Sequence, residues 1–286
     1  MKIIDILKNT DGGISFEFFP PKTEKGMENL RLAAQELQTL SPLYCSVTYG
    51  AGGTTREGTK NTIGLLNGIF GIPMMAHLTC IGASKENIAS LLDEYAAAGH
   101  RNILALRGDL PEGMDVSMLS KDFRHAGDLV AFAKARGDFS VAVAVCPEGH
   151  PESPDLATDV ARCAEKFSAG ADFGVTQMFF DNDCFYRYVD LLRKRGVKNA
   201  VLPGILPIVD FPKACQFAAL NKTTIPARVA ARFEKASADL SETRKIGIEF
   251  ATEQCRDLIS HGYSHLHVFA LNRADTVVDL VKGIRS

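Results

Sequence analysis

Several things are missing from this chain of 286 residues, which has no C-x-x-C pair, no H-E-x-x-H and no signature of a phosphate loop. No apolar run approaches the ~20 residues of a membrane-spanning helix, so a membrane protein of that kind is excluded. The missing metal spacings argue against a bound transition metal. Charge of one sign is also scarce: the net charge is −2 and the pI about 6.4. A nucleic-acid partner usually leaves a basic patch, so none is expected. The opening Met1-Lys2-Ile3-Ile4-Asp5 lacks an apolar signal core followed by a small-residue cleavage site. The seven cysteines (Cys45, Cys80, Cys146, Cys163, Cys184, Cys215 and Cys255) are scattered and odd in number. They read as free thiols in a reducing compartment, most of them in the core, and the chain reads as cytoplasmic.

What is present is a strong α/β repeat. Eight short apolar segments recur at intervals of about thirty residues. They are Ile14–Phe19, Tyr44–Thr48, Met74–Leu78, Ile103–Arg107, Ser140–Val145, Gly174–Met178, Ala200–Ile205 and His265–Phe269. The intervals between them carry helical patterns. In Glu28–Leu40, residues Leu30, Ala33, Ala34, Leu37 and Leu40 share one face, and Ser84 stands as the cap of a helix bearing Ile88, Leu91, Leu92 and Tyr95. Gly99, Gly137, Gly170, Gly196 and Gly262 are placed to end helices in the left-handed conformation that glycine adopts cheaply. Asn221–Gly262 is expected to hold two helices, one with Pro226 at its first position and one starting near Ser241. Strands alternating with helices imply a parallel sheet, and eight repeats favour a closed (β/α)8 TIM barrel. An open sheet would more often show G-x-G-x-x-G after its first strand, where this chain has Pro20-Pro21. Residues 1–286 are read as a single domain, at a length close to the ~250 residues of a typical barrel.

Barrels place their chemistry at the carboxyl ends of the strands. Glu17 is the first candidate there. Alternation puts it on the face opposite Phe16 and Phe18, where an apolar setting would raise its pKa and suit it to general acid work. The plainer reading is a strand-end charge that reaches solvent. Asp109, in Arg107-Gly108-Asp109, is either a second functional carboxylate or the partner of Arg107 in a local ion pair. Gly108 permits close backbone approach by a flat ligand. The glycine-rich loop Thr48–Arg56 offers backbone N–H groups to a phosphate, or is merely a flexible connection. His77 and His150 are candidate polar contacts to a cofactor, or structural histidines. Gln177 could read a heterocycle edge by donating and accepting together, or could bond neighbouring backbone.

Taken together, these segments resemble the methylenetetrahydrofolate reductases of the bacterial single-domain type. The matching strings are Ser15-Phe16-Glu17-Phe18-Phe19-Pro20-Pro21, Ser46-Val47-Thr48-Tyr49-Gly50-Ala51, His77-Leu78-Thr79-Cys80 and Leu106-Arg107-Gly108-Asp109-Leu110-Pro111. They continue with Pro147-Glu148, His150-Pro151-Glu152, Thr176-Gln177, Phe179-Phe180-Asp181, Pro203-Gly204-Ile205-Leu206-Pro207, Ile225-Pro226-Ala227 and Leu271-Asn272-Arg273-Ala274. They fall in the family's order over nearly the whole chain.

The resemblance implies a barrel that binds FAD along the strand ends and reduces 5,10-methylenetetrahydrofolate to 5-methyltetrahydrofolate. NADH or NADPH would reduce the flavin first, and the folate would then take the hydride from the same face, a ping-pong scheme. Glu17 matches the family's proton donor. Asp109 matches a residue near both pterin and flavin. Gln177 matches the amide that reads the pterin, Phe211 an aromatic that stacks on either substrate, and Arg273 a cation near the folate tail. The matched FAD positions are Thr48, Tyr49, Ala51, His77, Arg107, Gly108, Asp109, Ala126, His150, Asp159 and Lys166. The resemblance further implies a homo-oligomer in one-carbon metabolism and methionine biosynthesis, without feedback by S-adenosylmethionine. The chain departs from the family pattern at Cys146 and Phe269, where tyrosines are usual, and at Arg162 and Glu165. Two other readings stay open: a folate- or flavin-binding subunit that takes electrons from a partner protein, and another flavin barrel such as a proline dehydrogenase.

Overall fold

The computed structural model describes residues 1–49, 56–109, 122–234, 236 and 239–286. Ala51 and most of the glycine-rich loop lie outside them, as do Leu110 and Pro111. The described chain runs α1 (Ile3–Asn9), β1 (Gly13–Phe18), α2 (Glu24–Gln38), β2 (Cys45–Val47), α3 (Arg56–Phe70), β3 (Met74–Thr79), α4 (Lys85–Ala97) and β4 (Asn102–Leu106). It continues with α5 (Ala126–Arg136), β5 (Ser140–Val145), α6 (Leu156–Ser168), β6 (Phe173–Thr176), α7 (Asn182–Lys194), β7 (Ala200–Leu202) and β8 (Gly204–Ile205). After these come α8 (Phe211–Leu220), α9 (Ala227–Phe233), α10 (Leu240–Ser260), β9 (His265–Phe269) and α11 (Asp275–Arg285).

All strand pairings are parallel, in the order β7-β6-β5-β4-β3-β2-β1-β9-β8. The expected seventh strand is therefore two pieces on either side of Pro203. Proline has no N–H to continue a ladder. The first piece pairs with β6 and the second with β9. Gly204 N donates instead to Thr176 Oγ1 at 2.8 Å, and the Pro203 carbonyl accepts from His267 N at 3.0 Å. One interrupted stave thus joins the two ends of the sheet into a (β/α)8 barrel.

Alternation along the strands sorts two cores. Phe16, Phe18, Val47, Ala76, Ile103, Val141, Val143 and Val268 face outward and pack against helices. Inside the barrel, Tyr44, Met75, Leu104, Phe173 and Leu202 meet Ile3 and Leu7 of α1, which plugs the amino end of the barrel. Asn102 Oδ1 accepts from Ile3 N at 2.7 Å, so a strand residue satisfies a free N–H at the start of α1. A third cluster, with Met178, Phe180, Leu206, Ile208, Val229 and Phe233, lies beneath α8, α9 and α10.

Local signals hold with two exceptions. Ser84 caps α4 by accepting from Asn87 N at 3.3 Å. Gly99, Gly170, Gly196 and Gly262 have positive φ, but Gly137 is extended at φ 178° and ends its helix differently. Pro226 is the residue before α9 rather than its first helical residue. Of the cysteines, Cys45, Cys80, Cys163 and Cys255 are buried and the other three are partly exposed. No helix among the described residues is long and apolar enough to cross a membrane.

Candidate active site

The carboxyl end of β1 carries the central group. Glu17 projects into the barrel because Phe16 and Phe18 on either side project out. The register places Glu17 opposite Ser46 of β2 and Ser15 opposite His267 of β9. Glu17 Oε2 consequently lies 3.3 Å from His267 Nε2, 3.3 Å from His77 Nε2 on β3, and accepts from Ser46 Oγ at 3.4 Å. The His77 contact has the distance of an ion pair without the alignment of a hydrogen bond. The side chain of Glu17 is only 15% exposed, that of His77 7% and that of His267 fully buried.

This setting reverses the expected pKa shift. Burial alone raises the Glu17 carboxyl, but the imidazoles of His77 and His267 outweigh it and hold the group well below the usual carboxylate range. The residues adjacent to Glu17 in the chain carry no sign of these two imidazoles, which reach it from β3 and β9. A carboxylate can only accept, so the proton of His267 faces it through Nε2. In the neutral ring Nδ1 is then an acceptor, with Ser15 Oγ 2.7 Å and Tyr44 OH 3.5 Å away, while Ser15 Oγ also reaches Leu266 O at 3.2 Å. Tyr44 stacks on this ring at 5.9 Å between centroids and 16° between planes, fixing its orientation. His267 and Ser15 were not singled out in the sequence. The available signal was His265-Leu266-His267 in a strand, a period-two pair of polar rings.

Around the rim, the other candidates separate into two arcs. Thr48 and Tyr49 follow β2, His77 lies on β3, Arg107, Gly108 and Asp109 follow β4, and His150 follows β5. These four strands are consecutive neighbours. Gln177 follows β6, Phe211 opens α8, Arg273 follows β9 and Glu17 is on β1, completing the circle. Arg107 does not pair with Asp109. Its guanidinium forks onto Glu152 at 2.5 and 2.6 Å, and its Nε donates to Gly108 O at 3.1 Å. Asp109 is exposed. Gly108 has φ +92°, and a Cβ there would meet Ile81 Cγ2 at 2.8 Å, so the position needs glycine on both counts.

The loop after β5 is held from within. Buried Asp159 accepts from His150 N at 3.0 Å and Ser153 Oγ at 2.8 Å through one oxygen, and from Tyr188 OH at 2.6 Å through the other. Lys166 Nζ donates to Ala144 O at 2.6 Å. Asp159 and Lys166 therefore shape the loop and strand end. Cys146 is partly exposed, and loss of solvation pushes its thiol up to about 12 despite the nearby Lys166. Ala126 opens α5, whose Asp128 accepts from Arg124 N and His125 N. Gln177 bonds both backbone and side chain: its Oε1 accepts from Met178 N and its Nε2 donates to Asn221 Oδ1, each at 2.9 Å. Phe211 stacks on Phe233 at 4.7 Å and 3°. Arg273 is exposed and pairs with Asp275 at 3.0 Å. Phe269 turns its edge to His267 and lies against Gly204. Arg162 and Glu165 are exposed on α6.

Comparison with known proteins decides the family. The family model described as methylenetetrahydrofolate reductase matches residues 2–285. The chain belongs to the methylenetetrahydrofolate reductase family. It is 36% identical over 263 residues to 5,10-methylenetetrahydrofolate reductase of Escherichia coli, covering 92% of this chain and 87% of that protein. Its identity to methylenetetrahydrofolate reductase (NADH) 1 of Arabidopsis thaliana is 37% over 300 residues, 99% of this chain and 51% of the relative. The chain thus spans about half the length of the plant reductase. Among solved structures, an uncharacterized protein from Clostridium thermocellum that binds two copies of 5-methyl-5,6,7,8-tetrahydrofolic acid superposes with a TM-score of 0.67. That match has 13% identity and covers 98% of this chain and 96% of the other, a likeness of fold. A 2,3-dimethylmalate lyase shares the architecture at a TM-score of 0.56 and 11% identity, which illustrates why the barrel itself does not assign a reaction.

Proposed function

We propose that the chain reduces 5,10-methylenetetrahydrofolate to 5-methyltetrahydrofolate, with FAD as cofactor and a reduced nicotinamide as donor. The observation that carries this reading is the Glu17 carboxylate, held in the barrel mouth between two imidazoles in a chain of this family. The names of the plant relatives favour NADH as donor. The proposal includes a cytoplasmic enzyme of one-carbon metabolism with residues 1–286 as one catalytic domain, and a homo-oligomer as in the resemblance.

The residues fit a flavin. His77 Nε2 is a buried polar atom without a hydrogen bond, and the matched donors line consecutive strands. Thr48, Tyr49, Ala51, His77, Arg107, Gly108, Asp109, Ala126 and His150 would hold it, over a loop kept in shape by Asp159 and Lys166. FAD, when bound, would supply the hydride chemistry between a reduced nicotinamide and the folate, which would use the site in turn.

The protein's own share is binding and proton movement. Opening the methylene bridge to an iminium requires a proton on the departing amine. Glu17 is the group placed to deliver that proton, and it can do so only after the cluster it forms with His77 and His267 has taken one up from solvent, since a neutral His267 has no proton to spare. Asp109 places a negative charge at the rim, where it favours the cationic iminium. Arg273 suits the carboxylates of a folate tail, and Phe211 offers a face for a flat ring.

The test is Glu17→Gln in the flavin-loaded protein. Bleaching of the flavin by NADH under anaerobic conditions should persist, while reduction of the folate falls by about a hundredfold or more, the range for losing a proton donor. Equal loss of both half-reactions would overturn the assignment. A wild-type spectrum that NADH does not bleach, while NADPH or a partner protein does, would replace the donor.

A further inference from the structure

The amide of Gln177 is oriented from outside. Glutamine and asparagine amides have two ends of nearly the same shape, so only their partners decide which way they stand. At one end of this chain of bonds is the Phe217 carbonyl in α8, which can only accept. Asn221 Nδ2 donates to it at 2.8 Å, so Asn221 Oδ1 must face the other way. At the other end is the Met178 N–H, which can only donate, and Gln177 Oε1 takes it at 2.9 Å. Gln177 Nε2 is thereby left to donate to Asn221 Oδ1, also at 2.9 Å. Reversing Gln177 would set oxygen against oxygen at Asn221 and N–H against N–H at Met178, losing both bonds.

The turn that presents Asn221 is itself held on several sides. Lys222 has φ +51°, in the left-handed region that a lysine rarely adopts. Such strain persists when surrounding contacts over-determine it. Here Thr223 N donates to Ala218 O at 2.8 Å and Thr223 Oγ1 to Met178 O at 3.3 Å. Thr224 N donates to both oxygens of Glu148, and Lys222 Nζ to Pro151 O. Residues 221–224 therefore grip both the strand end that carries Gln177 and the loop after β5.

We propose that Asn221 is a positioning residue that sets the polarity of the Gln177 amide, and through it the hydrogen-bond pattern offered to the pterin. With Asn221 in place, one N–H of Nε2 and one lone pair of Oε1 remain for a ligand, a donor beside an acceptor on one amide. A fused heterocycle bearing a lactam matches such a pattern only when the amide stands one way round. The inference rests on the reading of Gln177 as the pterin-binding amide.

The experiment uses the full flavin-loaded chain, with Gln177→Ala, Asn221→Ala and the double variant. The dissociation constant for 5-methyltetrahydrofolate is measured by calorimetry and KM and kcat for methylenetetrahydrofolate by kinetics. Asn221→Ala should weaken folate binding on the order of tenfold, raise KM by a similar factor and change kcat less. In the Gln177→Ala background it should add little, because its effect passes through that side chain. Asn221→Asp, which keeps an oxygen for Gln177 but loses the donor to the Phe217 carbonyl, should recover only part of the loss. Should the alanine variant fold poorly, Asn221→Thr, too short to bridge, replaces it. Folate binding unaffected by Asn221→Ala but weakened by Gln177→Ala would overturn the role of Asn221 alone. So would losses that add in the double variant. Binding unaffected by Gln177→Ala would remove the reading of Gln177 and the proposal with it.

Discussion

Glu17 shows how much a single side chain depends on partners remote in sequence. His267 stands 250 positions away from it along the chain, yet its Nε2 is within 3.3 Å of the carboxylate. The lowered pKa of Glu17 links to stability with a definite sign. A carboxyl group whose folded pKa lies below its ordinary 4.5 stabilises the fold above that value, and the contribution is lost as pH falls towards the folded pKa. The stability difference between wild type and Glu17→Gln, read from urea unfolding, should therefore shrink as pH is lowered from about 5 to about 3. A difference that stays constant over this window would mean that the imidazoles do not hold the carboxyl down. Nearby, His77 of β3 sits against Glu17 at 3.3 Å, a contact that its own stretch of sequence does not announce.

At the scale of elements, the decisive feature is how α10 and the segment after β8 approach each other. A Cβ on Gly247 would lie 1.7 Å from the carbonyl oxygen of Ile208, a backbone atom that cannot move aside alone. Ile208 belongs to the cluster on which Phe211 and Phe233 also pack. Gly247→Ala should therefore destabilise the protein by about 1–3 kcal/mol or more, a cost typical of overpacking, and lower the thermal midpoint by several degrees. A midpoint equal to that of wild type would show that α10 can shift outward freely. Helix caps at this scale were legible: Ser84 stands where the cap signal put it, and Gly99, Gly170, Gly196 and Gly262 end helices with positive φ. The helix α1 was not read, because seven residues carry too short a period, and its role as a plug depends on the barrel interior it enters.

Across the whole molecule, closure of the barrel sets the two proposed subsites side by side. The positions proposed for the flavin occupy the arc from β2 to β5, and the groups proposed for the folate flank it on β1, β6 and the connections after β8 and β9. The Arg107–Glu152 fork crosses the first arc, joining the end of β4 to the loop after β5. Glu152 is half exposed, so the pair contributes little to stability while occupying a cation that an anionic cofactor could use. Glu152→Gln should tighten FAD binding to the cofactor-free chain by up to about fivefold, the equivalent of about 1 kcal/mol for a half-exposed pair. Titration by quenching of flavin fluorescence measures it. Weaker binding in the variant would mean instead that Glu152 supports Arg107 in the loaded protein.

Alternation and helical periodicity by themselves determined the eightfold repeat, the inward direction of Glu17 and the rim on which the candidates lie, because those signals are local and repeat along the backbone. The ordered motifs determined the family. Only the tertiary structure decided what each polar group touches. It broke the seventh stave at Pro203, gave Arg107 to Glu152 rather than Asp109, and turned Asp159 inward to Tyr188. It also lowered the Glu17 pKa where burial alone would have raised it. These outcomes depend on distances between strands far apart in the chain, and a hydrogen bond or ionic contact changes sign or vanishes over a few ångströms.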